Sequence, residues 1–177
     1  LAEAGYPQGF TTTIRTLSEP PFIDIAARLQ STLAEGGIKA SIVTGTGNQV
    51  YGAMRARNFD IIVARGAERY PHPYFSLRTF VYNPDNSDDA GLPNFQGWRA
   101  SFFSPQINSL IDKAGVERDA SQRVSLYHQA QNLYDQEVGP IMMISQMTDT
   151  VVSASDIKGF TGDDAEATRY LGVYKER

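Results

Sequence analysis

The chain contains no cysteine, a single tryptophan and only two histidines, His72 and His128, far apart in sequence. Without cysteine there is no disulfide, no thiolate nucleophile and no cysteine-based metal site, although that absence does not name a compartment. The sequence shows no histidine metal pair, nucleophile elbow or acid and base set, so it carries no signature of an enzyme, a metal centre or a cofactor site. No apolar run reaches the length of a membrane span, which excludes direct insertion into a bilayer. Acidic residues outnumber basic ones, 20 against 16, for a net charge of -4. That balance argues against a nucleic-acid surface, which gathers positive charge.

With 177 residues and 41% hydrophobic content, the chain is long enough for one substantial core. Leu1, Ala2, Glu3 and Ala4 are helix formers followed by Gly5, yet four residues cannot make a helix alone. The chain is therefore expected to be cut from a longer polypeptide.

Residues 11–17 (TTTIRTL) have the β-propensity of a strand. After Pro20 and Pro21, the residues Phe22, Ile25, Ala26, Leu29 and Leu33 recur at spacings of three and four, which marks one face of a helix ended by Gly36 and Gly37. Residues 38–44 return as a strand, 49–57 form a short helix with Val50, Ala53 and Met54 inward, and a third strand opens at Asp60. This alternation is a βαβαβ unit with parallel strands. The run Asp60, Ile61, Ile62, Val63, Ala64 suits a strand buried on both faces. Gly45, Thr46 and Gly47 between strand and helix are only two glycines of a dinucleotide fingerprint, since Val50 stands where the third would be.

Further on, residues 74–81 suggest a short helix and 82–97 a long connection. Its aspartates Asp85, Asp88 and Asp89 lack the glycine and distal glutamate of a calcium loop. Ser104 and Pro105 open a helix with Ile107, Leu110, Ile111 and Ala114 inward. Asp119 and Gln122 resemble a capping box opening another, which runs to about Glu137 with Leu126, Tyr127, Ala130, Leu133 and Tyr134 inward. Residues 141–144 and 150–153 have the pattern of returning strands, and the tail from Asp156 is weakly patterned.

Candidate ligand contacts follow the third strand. The loop that leaves its carboxyl end carries Arg65, Glu68, Arg69 and Tyr70, and ligand crevices of open α/β sheets lie outside such ends. Nine aromatic residues crowd the stretch 70–103, in keeping with a pocket wall, although Phe75, Phe80 and Phe102 read better as core. Every lysine or arginine between Tyr51 and Ala100 is an arginine, whose planar fork grips carboxylate or phosphate. Arg55 and Arg57 fall at a helix end, where solvation and dipole compensation account for them. Arg78 is placed to pair with a local acid, which leaves Arg69 and Arg99, with Trp98, as the stronger contacts.

The phrases LAEAGYPQGF, IAARLQSTLAEGGIKA, FDIIVARGAERYPHPYFSL, SPQINSLIDKAGVERDASQRVSLYHQAQNLYDQEVGPIMMI and IKGF, in this order, resemble the extracellular solute-binding proteins of ABC transporters in the dipeptide, oligopeptide and nickel-binding family. The resemblance implies a periplasmic-binding-protein-like α/β lobe, a βαβαβ sheet with flanking helices, followed by a helical segment and returning strands. In that family the opening phrase begins the second lobe. Residues 1–177 would then be a C-terminal lobe whose tail, 156–177, crosses toward a missing N-terminal lobe. Peptide binders of the family carry Trp-x-Ala-Asp-Tyr before the proline turn, with the aspartate pairing the peptide's amino terminus. Here Arg69 takes the aspartate position, which would repel an ammonium group, while Glu68 could serve an amine if the loop shifts by one.

The resemblance further implies a protein without cofactor, either periplasmic or extracellular, free or held by a lipid anchor, which captures a small polar or anionic solute and hands it to membrane permease subunits. The expected ligands are a peptide, an opine-like compound, or a sugar acid or phosphate. A second reading makes the fold the ligand sensor of a cytoplasmic transcriptional regulator.

Overall fold

The computed structural model describes residues 1–66, 72–146, 148, 150–160, 170 and 172–176. It divides into two compact units. The first holds residues 1–66, 87–94 and 98–101, and is built on β1 (Phe10–Leu17), α1 (Phe22–Glu35), β2 (Ile38–Gly45), α2 (Gly47–Arg55) and β3 (Ile61–Val63).

These strands form a parallel sheet in the order β2-β1-β3, so the chain turns back across β1. The register sets Ile14 beside Ile42 on one side and Ile61 on the other, and Thr16 beside Thr44 and Val63. Paired residues of neighbouring strands share a face of the pleat. Ile14 and Ala26 are fully buried, and with Leu17, Phe22, Val50 and Val63 they make the core of this unit. Burying an Ile or Val side chain of this kind is worth about 1.5–3 kcal/mol. Gln30 Nε2 donates to the Ala40 carbonyl at 2.7 Å, tying α1 to β2.

One expectation is corrected here: among the described residues β3 lies at the sheet's edge, and β1 is the strand flanked on both sides. Ile61 and Ile62 are accordingly half-buried and only Val63 is fully covered. Asp60 does not extend the strand. Its Oδ2 accepts from the Thr13 N–H at 2.9 Å and from the Thr13 hydroxyl at 2.8 Å, pinning the start of β3 to the middle of β1. These bonds hold its carboxyl below the ordinary range.

The second unit holds residues 67–86, 95–97 and 102–177, with α3 (Pro73–Phe80), α5 (Pro105–Val116) and α6 (Ala120–Gln136) around Leu77, Phe80, Ile107, Ile111, Tyr127 and Ala130. A single turn, α4 (Gln96–Arg99), precedes α5. Both N-caps are present: the Ser104 hydroxyl accepts from the Ile107 N–H, and Asp119 accepts from the Gln122 N–H at 2.8 Å, but the expected box is not closed by Gln122, because the Asp119 N–H donates to Glu117 Oε1 at 2.8 Å. The connection after α3 is organised by a fully buried Asn83. Asn83 Nδ2 donates to Asn86 Oδ1 and to the Phe102 carbonyl, both at 2.9 Å, and its own carbonyl accepts from Asn108 Nδ2 at 2.6 Å. Gly97 is required beside it, because a Cβ there would run into the Val81 carbonyl.

The returning strands take a different place from the expected one. Residues 141–146 and 150–154 have no regular structure, and the antiparallel pair is β4 (Ile157–Lys158) with β5 (Tyr174–Lys175). Met142, Met143, Ile144 and Val152 are 86%, 70%, 63% and 91% exposed, so β-propensity in this stretch meets no partner strand among the described residues.

Candidate functional site

Three parallel strands bring their carboxyl ends to one side of the sheet, and the hydrogen bonds there are specific. The Thr16 hydroxyl donates to the Val63 carbonyl at 3.0 Å, and the Ser18 N–H donates to the Gly45 carbonyl at 3.1 Å. The chain therefore leaves β1, β2 and β3 from one tied rim. Exposed polar groups stand on it: Ser18 and Glu19 after β1, Thr46 after β2, and Arg65 after β3. Thr46 is the N-cap of α2, its N–H donating to Gln49 Oε1 at 2.9 Å. Tyr51, from the next turn of the same helix, donates its hydroxyl to the Arg65 carbonyl at 2.9 Å. The backbone at Arg65 is thus positioned, and its exposed guanidinium has no salt-bridge partner among the described residues.

Of the residues expected to contact ligand, Arg65 is on this rim. Glu68, Arg69 and Tyr70 lie outside the described residues. Trp98 and Arg99 fall elsewhere, and the topology shows why. Helix α2 runs from the carboxyl end of β2 to the amino end of β3, so its last residues are at the far end of the sheet from Arg65. Trp98 sits there, 5% exposed, with the Arg57 guanidinium 4.8 Å above its ring and its indole N–H donating to the Ser87 carbonyl at 2.8 Å. Arg99 donates from Nε to the Pro93 carbonyl at 2.6 Å and from Nη1 to the Met54 sulfur at 3.2 Å. Burial lowers the pKa of its guanidinium, and repulsion from Arg55 adds to the shift.

Arg57 is correspondingly not a solvated helix end. Its backbone is left-handed at φ 55, its side chain is 15% exposed, and it pairs with Asp88 at 2.9 Å. Arg78 meets Asp112 at 3.4 Å, an acid 34 residues away, and lies 4.4 Å over the Tyr82 ring. Phe80 is core and Phe102 packs edge-on against Tyr134, whereas Phe75 is 47% exposed. His72, the first described residue after the loop, caps α3 through Nδ1, which accepts from the Tyr74 N–H at 3.2 Å. His128 is exposed on α6.

Hollows in the second unit include one of about 350 Å³ walled by Leu77, Phe80, Tyr134 and Met143, and one of about 650 Å³ of mixed lining beside Glu117, Leu126 and Gln129. Both are bounded by helices and loops, not by strand ends. Among the described residues no group of acids and histidines is arranged to hold a metal ion. No helix among them is long and apolar enough to cross a membrane.

Ser18, Glu19 and Tyr51 have no motif signature, and Thr46 carries only the Thr-x-x-Gln capping box with Gln49, which marks a helix start. Their one sequence signal for a site is position, each following or closely trailing a strand end.

A parallel sheet of order β2-β1-β3 with helices between its strands defines an α/β lobe of the periplasmic-binding-protein kind. Residues 1–88 match the middle region of the bacterial extracellular solute-binding proteins, family 5, and the chain belongs to that family. Membership places it outside the cytoplasmic membrane, in a family whose role is binding. The chain is 23% identical over 158 residues to the peptide transport periplasmic protein SapA of Salmonella typhimurium, covering 89% of this chain and 27% of SapA. Among solved structures it is similar to the periplasmic binding protein DppA of Helicobacter pylori in complex with the peptide STSA. That likeness has a TM-score of 0.76 at 24% identity, over 100% of this chain and 33% of DppA. It is also similar to MoaA of A. tumefaciens R10 in complex with mannopinic acid, with a TM-score of 0.66 at 25% identity over 78% of this chain and 27% of MoaA. The chain thus spans between a quarter and a third of the length of these relatives.

Proposed function

We propose that the protein is the substrate-binding component of an ABC importer, capturing a small polar solute outside the cell and delivering it to membrane permease subunits. In this reading the chain supplies one wall of a two-lobed clamp. Residues 1–177 belong to the C-terminal lobe, residues 156–177 lead toward the N-terminal lobe, and closure of one lobe on the other buries the solute. Binding energy then comes from both walls, so this wall alone holds the solute weakly. The role needs no catalytic group, metal or cofactor.

The observation that carries the proposal is the tied rim of strand ends, with Arg65 held by Tyr51 and with Glu19 and Thr46 exposed on the same rim. A guanidinium there suits a carboxylate, phosphate or sugar-acid group, and Glu19 suits an amine. Peptides and opine-like conjugates combine such groups, and the relatives complexed with STSA and with mannopinic acid lend support to that class. Glu68, Arg69 and Tyr70, which continue the chain from Arg65, are proposed as further contacts. Trp98 and Arg99 are better assigned to packing at the other end of the sheet.

The test is a thermal-shift and calorimetric screen of the full-length parent protein against peptides, opines, sugar acids and sugar phosphates, followed by Arg65→Ala and Arg69→Asp. Preference for solutes bearing a carboxylate or phosphate, lost in Arg65→Ala, is the expected result. If neutral solutes bind best and Arg65→Ala leaves their affinity unchanged, the proposal for this rim fails.

A further inference from the structure

A mesh of hydrogen bonds holds the turn between α5 and α6. The Glu117 N–H donates to the Lys113 carbonyl at 3.0 Å, and the Glu117 carbonyl accepts from Arg123 Nη1 at 3.1 Å. Glu117 Oε1 accepts from the Asp119 N–H and Asp119 Oδ1 from the Gln122 N–H, both at 2.8 Å. Beside this turn lies the hollow of about 650 Å³, inside the range of roughly 300–1,000 Å³ usual for small-molecule sites. Lys113 and Val116 line it from α5, Arg118 from the turn, and Gln122, Leu126 and Gln129 from successive turns of α6. These side chains share one concavity although they come from three stretches of chain.

Lys113 and Arg118 are exposed, and among the described residues neither side chain has a hydrogen-bond or ion-pair partner. Glu117 is the acid of the lining, and one of its carboxylate oxygens is already taken by the Asp119 N–H. Two cations with unused N–H donors therefore face one partly engaged acid. Val116, on the same wall, is 81% exposed.

We propose that this hollow is a binding site for a small organic anion, a carboxylate or a phosphate ester carried on a short apolar body. Lys113 and Arg118 donate to the oxyanion, and the Gln122 amide adds a neutral donor. Val116 and Leu126 cover the apolar body, which favours an organic anion over an inorganic one. The site lies wholly within the second unit and shares no residue with the solute rim, so it does not depend on the reading of that rim.

The probes are sodium hexanoate and hexyl phosphate, titrated at constant ionic strength into the isotope-labelled 177-residue chain and followed by amide chemical shifts. Acetate and inorganic phosphate are the arms without an apolar body, and hexylammonium chloride is the cationic control. Saturable shifts within residues 113–129 are expected with hexanoate or hexyl phosphate, several-fold weaker with acetate or inorganic phosphate, and absent with hexylammonium; the tighter of the two probes identifies the head group. Lys113→Gln and Arg118→Gln should each weaken binding by about tenfold, the loss of one charge-assisted contact. Lys39→Gln, which removes an exposed cation of β2, should leave it unchanged. No saturable shift within 113–129, shifts confined to the rim around Thr46 and Arg65, an equal response to hexylammonium, or parental affinity in both variants overturns the proposal. Should one variant fail to fold, the other decides alone: weakening supports the site and unchanged affinity overturns it.

Discussion

Tyr51 and Arg65 are joined by a 2.9 Å hydrogen bond from the tyrosine hydroxyl to the arginine carbonyl, so the exit of β3 is held by the side of α2. Tyr51→Phe removes that bond and little else. A loss of about 0.5–1.5 kcal/mol is expected in chemical denaturation of the chain. In the full-length protein solute affinity should fall several-fold although the Arg65 side chain is intact. A variant that loses stability and keeps its affinity would show that Tyr51 does not position the rim.

Arg57 provides the second prediction. It lies over the Trp98 ring and pairs with Asp88, whose side chain is 91% exposed. An exposed ion pair contributes little, whereas a stacked, mostly buried guanidinium contributes more. Arg57→Ala should therefore cost about 1–2 kcal/mol and shift Trp98 emission to the red, while Asp88→Asn costs about 0.5 kcal/mol or less. Equal losses would place the energy in the ion pair.

A third concerns Asn83 and Asn108: the Asn108 side chain binds the Asn83 backbone, its Nδ2 donating to the carbonyl at 2.6 Å and its Oδ1 accepting from the N–H at 3.2 Å, which stitches the long connection to α5. Asn83→Ala leaves the Phe102 carbonyl and Asn86 without that donor, at a cost of about 1–3 kcal/mol. Asn108→Ala should cost a similar amount, and the double variant less than the sum, because both belong to one network. Strict additivity in a double-mutant cycle would separate the two.

Alkaline pH gives a fourth. Burial raises the hydroxyl pKa of Tyr134 and Tyr127 above 10.0, and burial with the nearby Asp112 does the same for Tyr82. For a group raised in the folded state, the stabilising contribution is complete below the unfolded value of 10.0 and is lost as pH rises through the folded one. Melting temperature should then fall steeply above about pH 10. In absorbance titration these three tyrosines should ionise above the unfolded value of 10.0, and Tyr134→Phe should flatten the alkaline slope. A slope unchanged in that variant would remove Tyr134 from the account.

Much of the fold is legible because its signals are local. Phe22, Ala26, Leu29 and Leu33 repeat at helical spacing, and Ser104 with Pro105 and Asp119 with Gln122 announce helix starts from within four residues. Residues 141–144 and 150–153 misled for the complementary reason: β-branched and apolar side chains favour a strand, but a strand forms only against a partner, and propensity contains no partner. Of the candidate rim, the place of Arg65 was legible, as the polar residue that follows an apolar strand. Trp98 and Arg99 were not, since whether they face a solute depends on Arg57 and Met54, more than forty residues earlier, and on which way α2 runs. Tyr51 was invisible because what matters is the reach of one hydroxyl to one carbonyl.

The chain's return across β1 has a consequence for engineering. The groups on the rim arrive from three separate stretches, after β1, after β2 and after β3, with two crossovers between them. Transplanting any one loop from a relative would carry over only part of the proposed recognition surface and strand it among foreign neighbours. Taste for a new cargo should instead shift through scattered single changes, at Glu19, Thr46 and Arg65, while the scaffold beneath them stays as it is.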